Sequence, residues 1–240
     1  MKKIILSLIV VLGVGVVLFF MFFYATDVTT ETVVEEIENS SIDFSTNITN
    51  PYFSLPVGRS FTYEGKTEEG VERVEITITG ETRVVNGVET LVYRDKVWLD
   101  GELVEDTRDY LAQDKEGNVW YFGEDVDNYE DGKIVDHDGS WHAGVDGAEA
   151  GIWMKANPVV GETYKQEYLK GKAEDMADVV SVTEKLTIRG IKYENCLKTY
   201  DYTPLDPESK EYKYYCKEVG NLVLEENILT KEKIELLSVK

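Results

Sequence analysis

Val74-Glu75-Ile76-Thr77-Ile78-Thr79 alternates apolar and polar side chains with a period of two. That is the pattern of a β-strand with one face buried. Phe61 with Tyr63, Leu186 with Ile188, and Tyr212 with Tyr214 repeat the alternation elsewhere. Turn signals punctuate these runs: Asn86-Gly87, Asp100-Gly101, Glu116-Gly117-Asn118, Asp131-Gly132, Asp138-Gly139, Asp146-Gly147 and Arg189-Gly190. A residue tolerant of the left-handed region followed by Gly is the strongest short hairpin signal. Strand, tight turn and strand repeated this often predict a mainly β domain, an antiparallel meander forming a barrel, half-barrel or sandwich. One helix is expected near Ala173 to Val180, where Ala173, Met176, Ala177 and Val180 share a face, although the flanking residues suit a strand equally well.

Cys196 and Cys216 add a long-range constraint. Between them lies Thr203-Pro204-Leu205-Asp206-Pro207, read as a loop because two prolines break a strand. Folding the aromatic and β-branched flanks antiparallel about Asp206 sets the two cysteines opposite each other, within reach of a disulfide.

The chain begins Met1-Lys2-Lys3, followed by an apolar run from Ile4 to Tyr24. At a rise of about 1.5 Å per residue such a run matches the roughly 30 Å hydrocarbon core of a bilayer. It is long for a signal peptide, and bulky Phe23 disfavours cleavage after Ala25. Residues 1–24 are therefore expected to be a transmembrane signal-anchor. The lysines before it and Asp27, Glu31, Glu35 and Glu36 after it predict a cytoplasmic N-terminus, with the body of the protein outside the cell membrane. Residues 25–50, acidic and without Lys or Arg, read as a flexible stem. Asn39 and Asn47 begin N-glycosylation acceptor patterns. Residues 51–240 are left for one extracytoplasmic β-domain, where a disulfide would persist.

Composition bears on partners. With 46 acidic against 25 basic side chains and a net charge of −21, a nucleic-acid partner is not expected, and cations or a basic protein are favoured. Acids crowd between Glu124 and Asp138, where Asp125, Asp127, Asp131, Asp136 and Asp138 surround Asp-Gly turns. Ca²⁺ takes six to eight oxygen ligands at about 2.3–2.6 Å, which such a hairpin can supply, although the spacing is not that of an EF-hand. The competing reading is a solvated hairpin tip. His137 and His142 lack the spacing of a zinc or copper site. Enzyme motifs are missing: there is no Gly-x-Ser-x-Gly, no phosphate-cradling Gly-rich loop and no His-Glu-x-x-His. Trp98, Trp120, Trp141 and Trp153 suit either sugar stacking beside paired carboxylates or simple packing of the sheet. Trp120 and Phe122 alternate with Val119 and Tyr121, so that strand is apolar on both faces and is expected to be covered.

Four segments carry a family resemblance: Asn50 to Gly58, Val97-Trp98-Leu99-Asp100-Gly101-Glu102-Leu103 onward to Thr107, Gln113 to Glu124, and Glu194-Asn195-Cys196-Leu197-Lys198-Thr199. The stretch from Asn50 to Glu225 resembles a family of secreted or membrane-anchored prokaryotic β-rich proteins of uncharacterised function. The resemblance implies no activity. It also implies that Cys216 is particular to this chain, because that position in the family is not usually cysteine. The sequence therefore supports an anchored extracytoplasmic binding or structural domain, with Ca²⁺ as the favoured ligand. A surface glycan hydrolase, or an accessory subunit docking a basic partner in the envelope, stands as the alternative.

Overall fold

The computed structural model describes residues 43–240. The expected anchor, residues 25–42 of the expected stem and Asn39 lie outside the described residues. Among the described residues no helix is long and apolar enough to cross a membrane.

Among the described residues every regular element is a β-strand. A small hairpin, β1 (Thr49–Asn50) and β2 (Phe53–Ser54), precedes the main sheet. Next come β3 (Ser60–Lys66), β4 (Val71–Thr77), β5 (Thr82–Val85), β6 (Val88–Leu99), β7 (Glu102–Gln113), β8 (Val119–Glu130), β9 (Lys133–Asp136) and β10 (Trp141–His142). Then follow β11 (Glu149–Met154), β12 (Thr163–Lys165), β13 (Glu167–Tyr168), β14 (Met176–Ile188), β15 (Ile191–Thr203), β16 (Asp206–Cys216), β17 (Asn221–Asn227) and β18 (Lys233–Val239). The hydrogen-bonded order is β12-β14-β15-β16-β17-β18-β3-β4-β6-β7-β8-β11-β13, with β5, β9 and β10 as side branches. Every pairing is antiparallel.

This is an open path and not a closed barrel, but its ends are β12 and β13, which are separated only by Gln166. One extended segment thus pairs with β14 through its first half and with β11 through its second. Its middle is fixed by Gln166 N–H donating to Asp175 O at 2.8 Å.

The turn chemistry acts as expected. Asn86-Gly87, Asp100-Gly101, Asp131-Gly132 and Arg189-Gly190 join paired strands with both residues at positive φ, from 49° to 87°. Such turns match the twist of their strands. Where a helix was expected near Ala173 to Val180, Ala173 bridges Leu169 and β14 begins at Met176, with Ala177 and Val179 buried and paired to Asp201 and Thr199. A period-two burial pattern wins there because β12 and β15 flank the segment on both sides.

The β15–β16 register runs Leu197↔Tyr215, Thr199↔Lys213 and Asp201↔Glu211, which sets Cys196 against Cys216. Their Cα atoms are 4.3 Å apart and the sulfurs are at bonding distance, 2.01 Å. The connection is shorter than expected: β15 reaches Thr203, β16 begins at Asp206, and only Pro204-Leu205 form the turn. Pro207 is tolerated because it lies in the register shift between Thr203↔Asp206 and Tyr202↔Lys210, where it has no partner on β15.

The structure departs from the expected pattern in two further places. Residues 43–50, read as the end of a stem, lie on the domain. Ser45 bridges Gln113, Ile48 is buried, and Phe44 packs edge-on against Trp120 and Phe122 at 6.1 and 5.1 Å. They cover Trp120 and Phe122 at the start of β8, the stretch expected to be covered, where Val119 and Tyr121 are buried as well. The second departure concerns β16, where Tyr212 and Tyr214 are not the inward face. Glu211, Lys213 and Tyr215 take that place, because Lys213 and Tyr215 line an interior cavity and Glu211 pairs with buried Asp201.

Gly151 sits where β11 meets the segment joining the two ends. A Cβ there would lie 2.3 Å from Gln166 O and 2.7 Å from Glu167 N. Gly151→Ala is expected to cost about 1–3 kcal/mol by overpacking, read as a lower urea midpoint. Replacing both cysteines with alanine frees a loop with a sequence separation of 20. It is expected to cost about 3 kcal/mol in the same measurement.

Candidate functional site

The side chains that line the interior follow from the pleat, since alternate residues of a strand share a face. Strand β4 contributes Glu72, Val74 and Ile76, β6 Tyr93 and Asp95, and β16 Lys213 and Tyr215. Cross-strand pairing brings Ile76 opposite Asp95, and Glu225 of β17 opposite Lys213. The β1–β2 hairpin inserts Phe53 from one end, held by Ser54 N–H donating to Gly220 O at 2.7 Å. Asn50, buried beside it, donates to the carbonyls of Gly117 and Lys155. Phe53 then packs on Tyr93 and Trp153, both with ring centroids at 5.6 Å, and on Tyr215 at 6.5 Å.

These groups enclose a cavity of about 160 Å³, floored by aromatic rings and walled by Glu72, Asp95, Glu225 and Lys213. Lys213 Nζ lies 2.8 Å from Glu211, and 3.8 Å from both Asp201 and Glu225. Burial alone would lower its pKa, but Glu211, Glu225 and Asp201 override that and hold it well above the usual lysine value. One ammonium does not offset so many acids. Burial pushes Glu72 up, and Glu232, Glu105, Glu211 and Glu69 push it further. Burial likewise raises Asp95, aided by Asp109, Glu105 and Glu72. Glu225 is driven well up by burial and by Glu211, against the pull of Lys213.

Four of the residues lining this space have a buried polar atom without a hydrogen-bond partner: Tyr63 Oη, Asp95 Oδ1, Trp153 Nε1 and Asn221 Nδ2. Tyr63 and Asn221 are 1% and 0% exposed. A buried polar group without a partner is unfavourable, and native structures usually supply one.

The acids continue along the interior beyond the cavity. Tyr121 O–H donates to Asp109 at 2.6 Å. Burial raises Asp109 to about 7, Glu167 to about 8 and Glu124 to about 9. Asp201 is buried, and burial raises it to about 6 against the pull of Lys213.

The residues singled out as cation ligands lie elsewhere, along β8 and the β8–β9 hairpin. Asp125 accepts hydrogen bonds from Arg83 and from Tyr110 O–H, and lies 3.0 Å from His142. Asp127 pairs with Arg108 at 3.0 Å and His137 at 2.9 Å. Asp136 accepts from Asn128 at 2.6 Å and from the backbone N–H of Asp138. Asp131 occupies the turn at φ 52°. Among the described residues, the one set of three ligand atoms within 4.8 Å of one another is Cys196, Cys216 and Glu218, whose sulfurs are joined. Asn47 is exposed. Of the tryptophans, Trp141 is buried, Trp120 and Trp153 pack against the core, and Trp98 lies in an outer groove with Arg73 and Glu75.

No protein-family model matches the chain, and no curated protein matches it. Among solved structures, it is similar to a "putative lipoprotein" from Parabacteroides distasonis ATCC 8503, with 14% identity and a TM-score of 0.39. That similarity covers 79% of this chain and 98% of the other.

The interior acids were missed because sequence reading assigned the inward face to the aromatic residues. The available signal was charge inside long strands: Tyr93-Arg94-Asp95, Tyr200-Asp201-Tyr202 and Glu211-Tyr212-Lys213-Tyr214.

These interior acids set the pH dependence of stability. A carboxyl whose folded pKa lies above its unfolded value near 4 holds its proton longer in the folded state. Its contribution is complete below the unfolded pKa and is lost as pH rises through the folded one. For Asp201, Asp109, Glu167 and Glu124 that loss spans the interval from about 4 up to about 6, 7, 8 and 9 respectively. The melting temperature is expected to be higher at pH 5.5 than at pH 8.5. Glu124→Gln with Glu167→Gln should flatten the difference, and an unchanged slope would refute the assignment. Asp106 acts in the opposite sense: burial raises it, but Arg94 and Lys96 prevail and lower it, so its contribution is lost only in acid.

Proposed function

We propose that the protein is a membrane-anchored extracytoplasmic binding domain that captures a small ligand bearing a cationic amine in the acidic, aromatic-floored cavity. The observation that carries the reading is a space of about 160 Å³ lined by Glu72, Asp95 and Glu225 beside aromatic rings, four of whose lining residues hold a buried polar atom without a partner. At about 30 Å³ per water, that space holds about five waters or a small organic molecule. Carboxyls beside aromatic rings are the chemistry that recognises organic ammonium groups, by ion pairing and by cation–π attraction. The acids that act on Glu72 also favour the entry of cations.

A hard metal ion fits less well. Ca²⁺ requires several oxygen ligands converging at about 2.3–2.6 Å, and among the described residues no three carboxylates converge so closely. The Asp125–Asp138 loop supports the Ca²⁺ reading less than the cavity supports the amine, because Arg83, Arg108 and Asn128 already engage its carboxylates. The placement outside the membrane rests on Lys2, Lys3 and the apolar run from Ile4 to Tyr24.

The test is titration of the detergent-solubilised full-length protein with small primary amines, read by tryptophan fluorescence through Trp153. Saturable binding is expected, weakened roughly tenfold or more by Glu225→Gln or Glu72→Gln, equivalent to about 1.4 kcal/mol. No saturable change with any amine at millimolar concentration would overturn the reading.

A further inference from the structure

The cavity walls divide by hydrogen-bonding character. Glu72, Asp95 and Glu225 bring carboxyl groups. Asn221 and Trp153 bring donors that have nothing to donate to. The orientation of the Asn221 amide is fixed by its neighbour, since Leu222 N–H donates to Oδ1 at 2.7 Å, which leaves Nδ2 directed elsewhere. An amide nitrogen and an indole N–H donate and cannot accept. An amine, itself a donor, therefore leaves both unmatched. Lys213 adds a third donor to the same wall, with Glu211 as its one close carboxylate at 2.8 Å.

We infer, building on the amine reading, that the ligand is a zwitterion of amino-acid type. Its ammonium meets Glu72, Asp95 and Glu225, and its carboxylate accepts from Asn221 Nδ2, Trp153 Nε1 and Lys213 Nζ. The site then pairs opposite charges at both ends of one small molecule. A buried donor left unmatched is unfavourable, so the carboxylate end discriminates against plain amines. Divalent metal ions, which supply no acceptor oxygen of their own, leave the same donors unmatched.

The experiment is isothermal calorimetry on the detergent-solubilised full-length protein with 4-aminobutanoate, n-butylamine and butanoate, followed by glycine, alanine and leucine. At least one zwitterion is expected to bind ten times or more tighter than n-butylamine, with butanoate weakest. Asn221→Asp keeps the acceptor for Leu222 N–H but removes the donor. It is expected to reverse the order, weakening the zwitterion and strengthening the amine.

Equal binding of n-butylamine and the zwitterions overturns this inference and leaves the amine reading in place. Binding of butanoate alone, or of none of the set, overturns both. If Asn221→Asp does not fold, Trp153→Phe and the wild-type ligand order decide the matter. A zwitterion preference unchanged in a folded Asn221→Asp variant also counts against the inference.

Discussion

An antiparallel sheet must do something with its two edges, whose unpaired N–H and C=O groups are otherwise open to any other strand. Here residues 163–168 resolve both at once, pairing with β14 through β12 and with β11 through β13. The rest of the architecture depends on that shared segment. Drawing both ends of the sheet to one stretch of chain creates an inside, and the pleat then decides which side chains enter it. The small β1–β2 hairpin fills one part of that interior with Phe53, and the aromatic rings around it form the floor of the cavity.

The remaining interior is unusual in composition. Cores are normally apolar, and an ionised carboxyl placed inside must be paired or protonated. This one holds Glu72, Asp95, Asp109, Asp201 and Glu225, and burial raises every one of those acids. The outer face behaves differently. Asp106 binds Arg94 through two hydrogen bonds of 2.9 and 2.7 Å, and Asp127 meets Arg108. Acids on one side of the sheet are matched by guanidinium groups, whereas in the interior Glu211, Glu225 and Asp201 share the single ammonium of Lys213. Sites in which burial and like charges shift several pKa values together are where ligand chemistry concentrates.

Much of the fold could be read from the sequence, and the reasons are local. Asn86-Gly87 and Asp100-Gly101 specify tight hairpins through backbone conformation alone, without reference to distant residues. The Cys196–Cys216 register followed from folding the strands about Asp206, whose index sum is the one kept from Leu197↔Tyr215 to Tyr202↔Lys210, although the turn itself is Pro204-Leu205 and the register shifts between Tyr202 and Thr203. What failed was the choice of face. Alternation in Tyr212-Lys213-Tyr214 defines two faces but not which one turns inward, and that depends on how the whole sheet curls. The same limit hid the cavity. Asp95, Lys213 and Glu225 lie on β6, β16 and β17, and only long-range pairing brings them together. At Ala173 to Val180 helical and strand spacing were both present, and the neighbouring strands settled the matter.

The disulfide closes the β15–β16 hairpin at the end away from the Pro204-Leu205 turn, and Leu205 is exposed at the tip. Thr199, Asp201, Glu211 and Lys213 all lie between the bridge and the tip. The strands carrying this interior charge are therefore a covalent ring and not two separable ribbons. A protease that nicks the tip leaves both fragments tied through sulfur, still in register, with the charged interior assembled. Under proteolysis, the loop can be lost before the domain is.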